Sequence, residues 1–197
     1  MGRPRKFDEA NVVQQAMLAF WQCGYESTTI RSLQEATGVD GKGLANVFGD
    51  KEQLFLRALD TYTQMASQTL EQVFATPSIE AIGVLFQAFV ADPADVGDPR
   101  RSGCLVVNTV FELGPSTEPI RERIASYRAL FIHHFQAALA ASGVDDPSGR
   151  AEFLLAMWWG ALSQVRLAGS TQAAKPVVEQ IQQTLQHWAA QAATSTD

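Results

Sequence analysis

The stretch Thr28–Phe55, TTIRSLQEATGVDGKGLANVFGDKEQLF, constrains the fold more than any other part of the chain. Ile30, Leu33 and Ala36 fall on one side of a short helix, which Thr28 or Thr29 can cap by accepting an orphan backbone N–H. Gly38 stands where a left-handed residue ends a helix. Asp40 then opens a second short helix that buries Leu44, Val47 and Phe48. Two short helices joined by a brief turn containing Gly form a helix-turn-helix. In DNA-binding versions the second helix lies in the major groove and the first crosses the backbone. A plain helical hairpin inside a bundle has the same local pattern, so the flanks must decide.

Downstream, Phe48-Gly49-Asp50-Lys51-Glu52 ends one helix and starts the next, with Asp50 as cap and Gln53 at the capping-box position. Upstream, Phe20-Trp21-Gln22-Cys23-Gly24-Tyr25-Glu26 closes an earlier helix at Gly24. Amphipathic helix, G-Y, T-T-I, helix, T-G-V, short helix, F-G-D-K-E, long helix: from about Arg3 to Leu59 this order resembles the DNA-binding head of the tetracycline-repressor (TetR) family of bacterial transcription regulators. Beyond it the resemblance is one of length and helical content.

The resemblance implies that Thr28, Thr29 and Arg31 face phosphates, that Gly41, Lys42, Gly43 and Asn46 lie on the recognition helix, and that Lys51 is a further phosphate contact. Hydroxyls and helix N-termini hold phosphate and Lys adds charge; Lys42 and Asn46 are the first candidates for base or backbone contacts. Arg3, Arg5 and Lys6 form a basic arm that Pro4 keeps extended, a shape suited to an A·T-rich minor groove. Taken singly, each of these residues is also an ordinary solvated side chain. The sequence departs from the family where a basic or small polar residue is replaced by Gly41, the usual aromatic by Ala45, and a frequent His by Val47. Gly41 and Gly43 each cost a helix up to about 1 kcal/mol relative to Ala. A recognition helix that frays in isolation, an unusual operator preference or weakened DNA binding is the consequence expected.

At 197 residues, 46% hydrophobic and 18% charged, the chain can form one domain or a small head with a larger body. It has no apolar run of membrane-spanning length and a polar, basic N-terminus, so neither a membrane segment nor a secretory signal is expected and the cytoplasm is the expected location. Cys23 and Cys104 make no disulfide framework, as suits a reducing compartment. The net charge of −6 is uneven: residues 1–57 hold seven cations and seven anions, leaving eight of the fifteen cations and fourteen of the twenty-one anions to the rest. A neutral head on an acidic body suits DNA contact only if the cations share a face.

Helical spacing recurs over Asp8–Cys23, Asp50 to about Ala75, Ile79–Ala91, Leu105–Leu113, Pro119–Ala141, Arg150–Ala168 and Lys175–Ala193. The fold class expected is all-α: a three-helix helix-turn-helix head (1–57), a helical bundle for ligand binding and dimerisation (58–193) and a polar tail (194–197), about nine helices in all. The Asp50–Ala75 helix, roughly 38 Å long at 1.5 Å per residue, outreaches the head and links it to the body.

The family places an inducer pocket among its central helices, which makes Tyr62, Met65, Phe86, Phe89, Cys104, Asn108, Phe111, Tyr127, Phe131 and Trp158 candidate ligand contacts. Core packing is the competing account of each aromatic. Asn108, inside LVVNTVF, needs a polar partner, from a ligand or from the chain. Cys104 follows Arg100 and Arg101 at a helix start, where positive charge and helix dipole favour a reactive thiolate, unless it is a buried inert thiol. The adjacent His133 and His134 point about 100° apart on a helix, whereas a metal pair uses positions three or four apart, so no metal and no cofactor is expected. The family dimerises through its last two helices, which implicates Phe153, Met157, Ala161, Leu162, Val165, Ile181, Leu185 and Trp188, with Gly160 and Ala161 small enough for close approach.

The chain lacks a nucleophile elbow, P-loop, dinucleotide fingerprint, metal-spaced His/Glu set or carboxylate pair, which argues against an enzyme. The sequence therefore points to a homodimeric, ligand-responsive transcription regulator, a repressor released from a pseudo-palindromic double-stranded operator by a small apolar or amphipathic inducer, with no membrane partner. The rivals are a thiol-based sensor using Cys104, a helical protein whose head no longer binds DNA, and a helical enzyme.

Overall fold

Four short polar side chains set the first four helices. Asp8, Thr29, Asp40 and Asp50 each stand one residue ahead of a helix and accept a backbone N–H that has no carbonyl within its own helix, at 3.0, 3.1, 2.6 and 2.8 Å. The helices they open are α1 (Glu9–Cys23), α2 (Ile30–Thr37), α3 (Gly41–Phe48) and α4 (Lys51–Val73). The computed structural model describes residues 7–91 and 96–194, and among these the chain continues through α5 (Ile79–Ala91), α6 (Leu105–Glu112), α7 (Glu118–Ala141), α8 (Pro147–Ala168) and α9 (Lys175–Thr194). Single 3₁₀ turns precede α6 and α9, and no strand occurs among the described residues. The all-α expectation is met, with nine α-helices among the described residues. No described helix is long and apolar enough to cross a membrane.

The head closes on Phe20, which is fully buried and meets Phe55 edge-on at 4.9 Å between ring centroids; Tyr25 packs on Phe55 at 4.7 Å. Phe55 belongs to α4, so the first turns of α4 complete the head while the same helix runs on, unbroken past residue 57, into the body. There α7 packs along α8, α5 lies against α7 and α9, and Phe86, Phe131, Phe135 and Trp158 form the central ring cluster. Several polar ties join head to body, among them three at the end of α1 and the turn after it. Trp21 Nε1 donates to the Gly103 carbonyl at 3.1 Å, the Glu112 carboxylate accepts the Tyr25 and Glu26 amides at 2.9 and 2.7 Å, and Arg166 donates to the Gln22 carbonyl at 2.9 Å.

The structure corrects several local expectations. Thr29, not Thr28, caps α2, and Ser32 returns the bond by accepting the Thr29 amide at 2.9 Å. Ile30 and Ala36, expected on a buried face, are exposed, and Leu33 alone of the three is buried. Helix α8 starts at Pro147 rather than near Arg150, because Asp146 accepts the Gly149 amide at 3.0 Å and a proline at the first helical position has no N–H to leave unpaired.

Candidate DNA-binding head and ligand cavity

On α3 the exposed side chains are Lys42, Ala45 and Asn46, three and four positions apart and therefore on one face. The turn before them is tight. A Cβ at Gly41 would stand 2.5 Å from Gln34 Nε2, and one at Gly43 would stand 2.8 Å from Val39 Cγ1. At Gly41 the crowding is with the flexible end of the α2 Gln34 side chain, and at Gly43 with Val39 of the turn itself. Where the family carries an aromatic, Ala45 leaves a surface notch of about 290 Å³ walled by Ile30, Gly41, Leu44 and Phe48. Thr29 is exposed at the start of α2, Arg31 extends into solvent beside Glu35 at 3.2 Å, and Lys51 Nζ sits 4.2 Å over the Tyr25 ring at the start of α4.

Thr28 does not share this surface. It is buried, and its hydroxyl donates to the Gly24 carbonyl at 2.6 Å, so it fastens the turn between α1 and α2 instead of meeting a phosphate. Arg3, Arg5 and Lys6 lie outside the described residues.

In the body, α1, α4, α5, α7, α8 and the turn before α6 line an open-sided cavity of about 290 Å³. Of the residues expected there, Tyr62, Met65, Phe89, Tyr127, Phe131 and Trp158 line it. Phe86 does not; it is fully buried behind Trp158, edge-on at 5.1 Å. Asn108 and the strongly exposed Phe111 line a separate outer cleft with Cys23, Glu112, Arg166 and Leu167. The partner Asn108 requires is internal, since its side-chain amide donates to the Ser102 carbonyl at 2.8 Å. Other lining residues escape the sequence reading, among them Trp21, which reads as core of a support helix, and Arg100, which reads as a neighbour of Cys104. Arg100 is held by Asp98 at 2.6 and 2.9 Å, and this hydrogen bonding keeps the Asp98 carboxyl below its usual range.

Cys104 caps α6, its sulfur accepting the Val107 amide at 3.5 Å and its thiol donating to the Tyr127 oxygen at 3.3 Å. Burial pushes the thiol's pKa up and outweighs the hydrogen bonds that pull it down, so of the two readings of Cys104 the structure favours the buried thiol, here behind the cavity wall. Burial first, and then Cys104, also raises the Tyr62 and Tyr127 hydroxyls well above the phenol range; Tyr62 is half-buried overall but its hydroxyl is enclosed. The exposed cysteine is Cys23. No group of three or more His, Cys, Asp or Glu side chains among the described residues is placed to hold a metal.

The residues expected at a dimer seam divide. Ala161, Leu162, Val165, Ile181 and Leu185 are buried within the single chain, a correction to their expected role, because α8 and α9 turn these sides inward. Phe153, Met157 and Trp188 remain exposed or half-exposed, with Phe153 edge-on to Trp188 at 5.9 Å. Gly160 and Leu167 share the outward side of α8.

The chain thus carries a capped helix-turn-helix on a helical body with an aromatic-walled pocket. No protein-family profile matches the chain. It is 34% identical over 131 residues to the HTH-type transcriptional repressor ComR of Escherichia coli K12, covering 66% of this chain and 62% of the relative. It is 33% identical over 118 residues to the uncharacterized HTH-type transcriptional regulator YezE of Bacillus subtilis 168, covering 58% and 59%. These matches thus span about three-fifths of the curated relatives' own length. Among solved structures, a cysteine mutant of the TetR-family regulator CifR in complex with 26-base-pair operator DNA superposes with a TM-score of 0.78 at 27% identity, over 95% of this chain and all of that one. Reduced NemR of E. coli shares the fold, with a TM-score of 0.75 at 18% identity over 87% and 93%. Its structural neighbours are TetR-family transcriptional regulators, its curated relatives are HTH-type transcriptional repressors and regulators, and the chain has the TetR fold.

Proposed function

We propose that this protein is a cytoplasmic, homodimeric, DNA-binding transcriptional repressor whose hold on its operator is released by a small molecule bound in the central cavity. The observation that carries this is the α2–α3 unit, which presents Lys42, Ala45 and Asn46 outward on one face in a chain that superposes along 95% of its length on a regulator solved with operator DNA. Residues 1–57 serve as the reader and residues 58–193 hold the ligand and the second copy. Lys42 and Asn46 contact bases or backbone, while Thr29, Arg31, Lys51 and the α4 N-terminus engage phosphates. Two readers held one DNA turn apart, about 34–36 Å, match a pseudo-palindrome, and the outward side of α8 with Phe153, Met157 and Gly160, together with Trp188 of α9, supplies the seam. Release follows if the ligand binds more tightly to a head spacing that the operator does not fit.

Mobility shift with the DNA upstream of its own gene, repeated across salt concentrations, tests the DNA reading. A specific shift is expected, with affinity falling steeply as salt rises because phosphate contacts release counterions. Absence of a shift at every candidate site would sink the repressor reading. The seam has its own test in Gly160→Arg, since a side chain there meets nothing within 4 Å in the single chain. Sedimentation should show monomers with unchanged helicity; a dimer that survives places the seam elsewhere.

A further inference from the structure

The face that carries Lys42 and Asn46 holds an apolar feature that neither core packing nor phosphate contact accounts for. Ala45 is exposed between them on α3, and beside it opens the notch of about 290 Å³. Its walls are largely carbon: Leu44 and Phe48 of α3, Leu54 of α4 and, from α2, Ile30, which is 42% exposed although its spacing predicts a buried residue. Ile30 lies against the start of α3, since a Cβ at Gly41 would stand 3.3 Å from its Cγ2. The charged groups at the rim turn elsewhere. The Asp50 carboxylate caps α4 by accepting the Gln53 amide at 2.8 Å, and the Lys51 ammonium stands over the Tyr25 ring at 4.2 Å. Carbon walls give a phosphate oxygen no partner, but they gain from shedding water onto an apolar group.

The chemistry of the major groove narrows what can fill the notch. Its base edges present hydrogen-bond donors and acceptors, and thymine alone adds an apolar group, the ring methyl. Alanine is among the side chains that meet this methyl. Lys42 stands three positions before Ala45 and Lys51 borders the notch, so cations lie near it, as an adjoining phosphate backbone requires. An aromatic at position 45, the family's usual choice, would occupy the same space and close it to a base.

We propose that Ala45 and Ile30 form a receptor for a thymine methyl, which makes Ala45 a specificity-determining residue for the operator. The proposal rests on the α3 face being the DNA reader and adds a base that it reads. To test it, the full chain first selects its preferred duplex from a randomised DNA library. Each thymine of that duplex is then replaced singly by deoxyuridine, which keeps the pairing edge and lacks the methyl, and affinity is read by fluorescence anisotropy. One thymine in each half-site should bind about fourfold tighter than uracil at the same place, the worth of one buried methyl. Bromouracil, whose halogen fills the methyl's place, should restore the loss. In Ala45→Gly and in Ile30→Ser the thymine-to-uracil ratio at that position should fall toward unity, whereas a general loosening of the head would leave the ratio unchanged. Failure to enrich any sequence overturns the DNA reader and this proposal with it. An enriched site without a uracil-sensitive thymine, a loss that bromouracil does not restore, or a sensitivity that persists in either variant overturns the thymine receptor and leaves the reader standing. If neither variant binds DNA, the unaltered protein decides alone, through loss with uracil and recovery with bromouracil.

Discussion

The head and the body of this molecule are built by different means. In the head, each of the four helices that meet there begins at a side-chain cap, and Asp8, Thr29, Asp40 and Asp50 lie within three residues of the amide they satisfy. In the body α6 and α8 also begin at side-chain caps, Cys104 and Asp146, but the longest helix, α7, begins without one, and the organising contacts are between rings far apart in sequence, such as Phe86 with Trp158 and Phe74 with Phe135. A small reader with little core relies on local hydrogen bonds to fix its helices, while a larger unit can rely on burial and leave a cavity among its aromatics. The ties through Gly103, Glu112 and Arg166 are where these two kinds of structure meet.

The heaviest blow to this contrast is a core truncation on either side. Phe20→Ala and Phe135→Ala should each cost about 3–5 kcal/mol, since both rings are fully buried. Urea unfolding followed by helicity and by Trp fluorescence should show the head losing structure first in Phe20→Ala; coincident transitions in both variants would mean that head and body are one cooperative unit. The junction is next. Glu112→Ala removes the acceptor of two head amides and should cost about 1–2 kcal/mol. Hydrogen exchange should quicken at Tyr25 and Glu26 and stay slow in α7; unchanged exchange at those amides would show that the tie does not hold the head.

Cap loss is smaller. Asp40→Ala should destabilise by about 1 kcal/mol, read as a lower melting temperature. Among the thiols, an alkylating reagent at neutral pH should consume exposed Cys23 at least about tenfold faster than buried Cys104; equal rates would restore Cys104 as a sensor candidate. The smallest effect is a titration. Burial, followed by the neighbouring His133, lowers the pKa of His134 below 6.5, against an opposing pull from Glu71. The unfolded chain then takes the proton at a higher pH than the folded one, so His134 favours the fold fully above pH 6.5 and that contribution is lost as pH falls through its folded pKa. Melting temperature should fall on acidification below 6.5, and by less in His134→Gln; identical pH profiles would remove His134 as a contributor.

What is legible in the chain and what is not follows the same division. The α2–α3 turn, the cap at Asp40, the restart at Asp50 and the all-α class are read directly from residues within a turn or two of one another. Which of two adjacent threonines caps α2 is not, because the answer lies in burial: Thr28 turns inward to the Gly24 carbonyl. The candidate cavity is half legible. Tyr62, Phe89, Tyr127 and Trp158 advertise aromatic surface, but only packing separates them from Phe86, which looks the same in sequence and sits behind the wall.

By itself, then, the sequence determined the helices, the reader's turn chemistry and the family resemblance, since capping and hydrophobic period act over three or four residues. Tertiary structure alone decided that Cys104 is buried beneath two tyrosines, that Leu162 and Leu185 face inward while Phe153 faces out, and that Trp158 walls the central pocket while Phe86 sits behind it. The physical reason is that desolvation and access depend on partners brought from far along the chain, as the 82-residue separation between Trp21 and Gly103 shows, and no local pattern encodes which partner arrives.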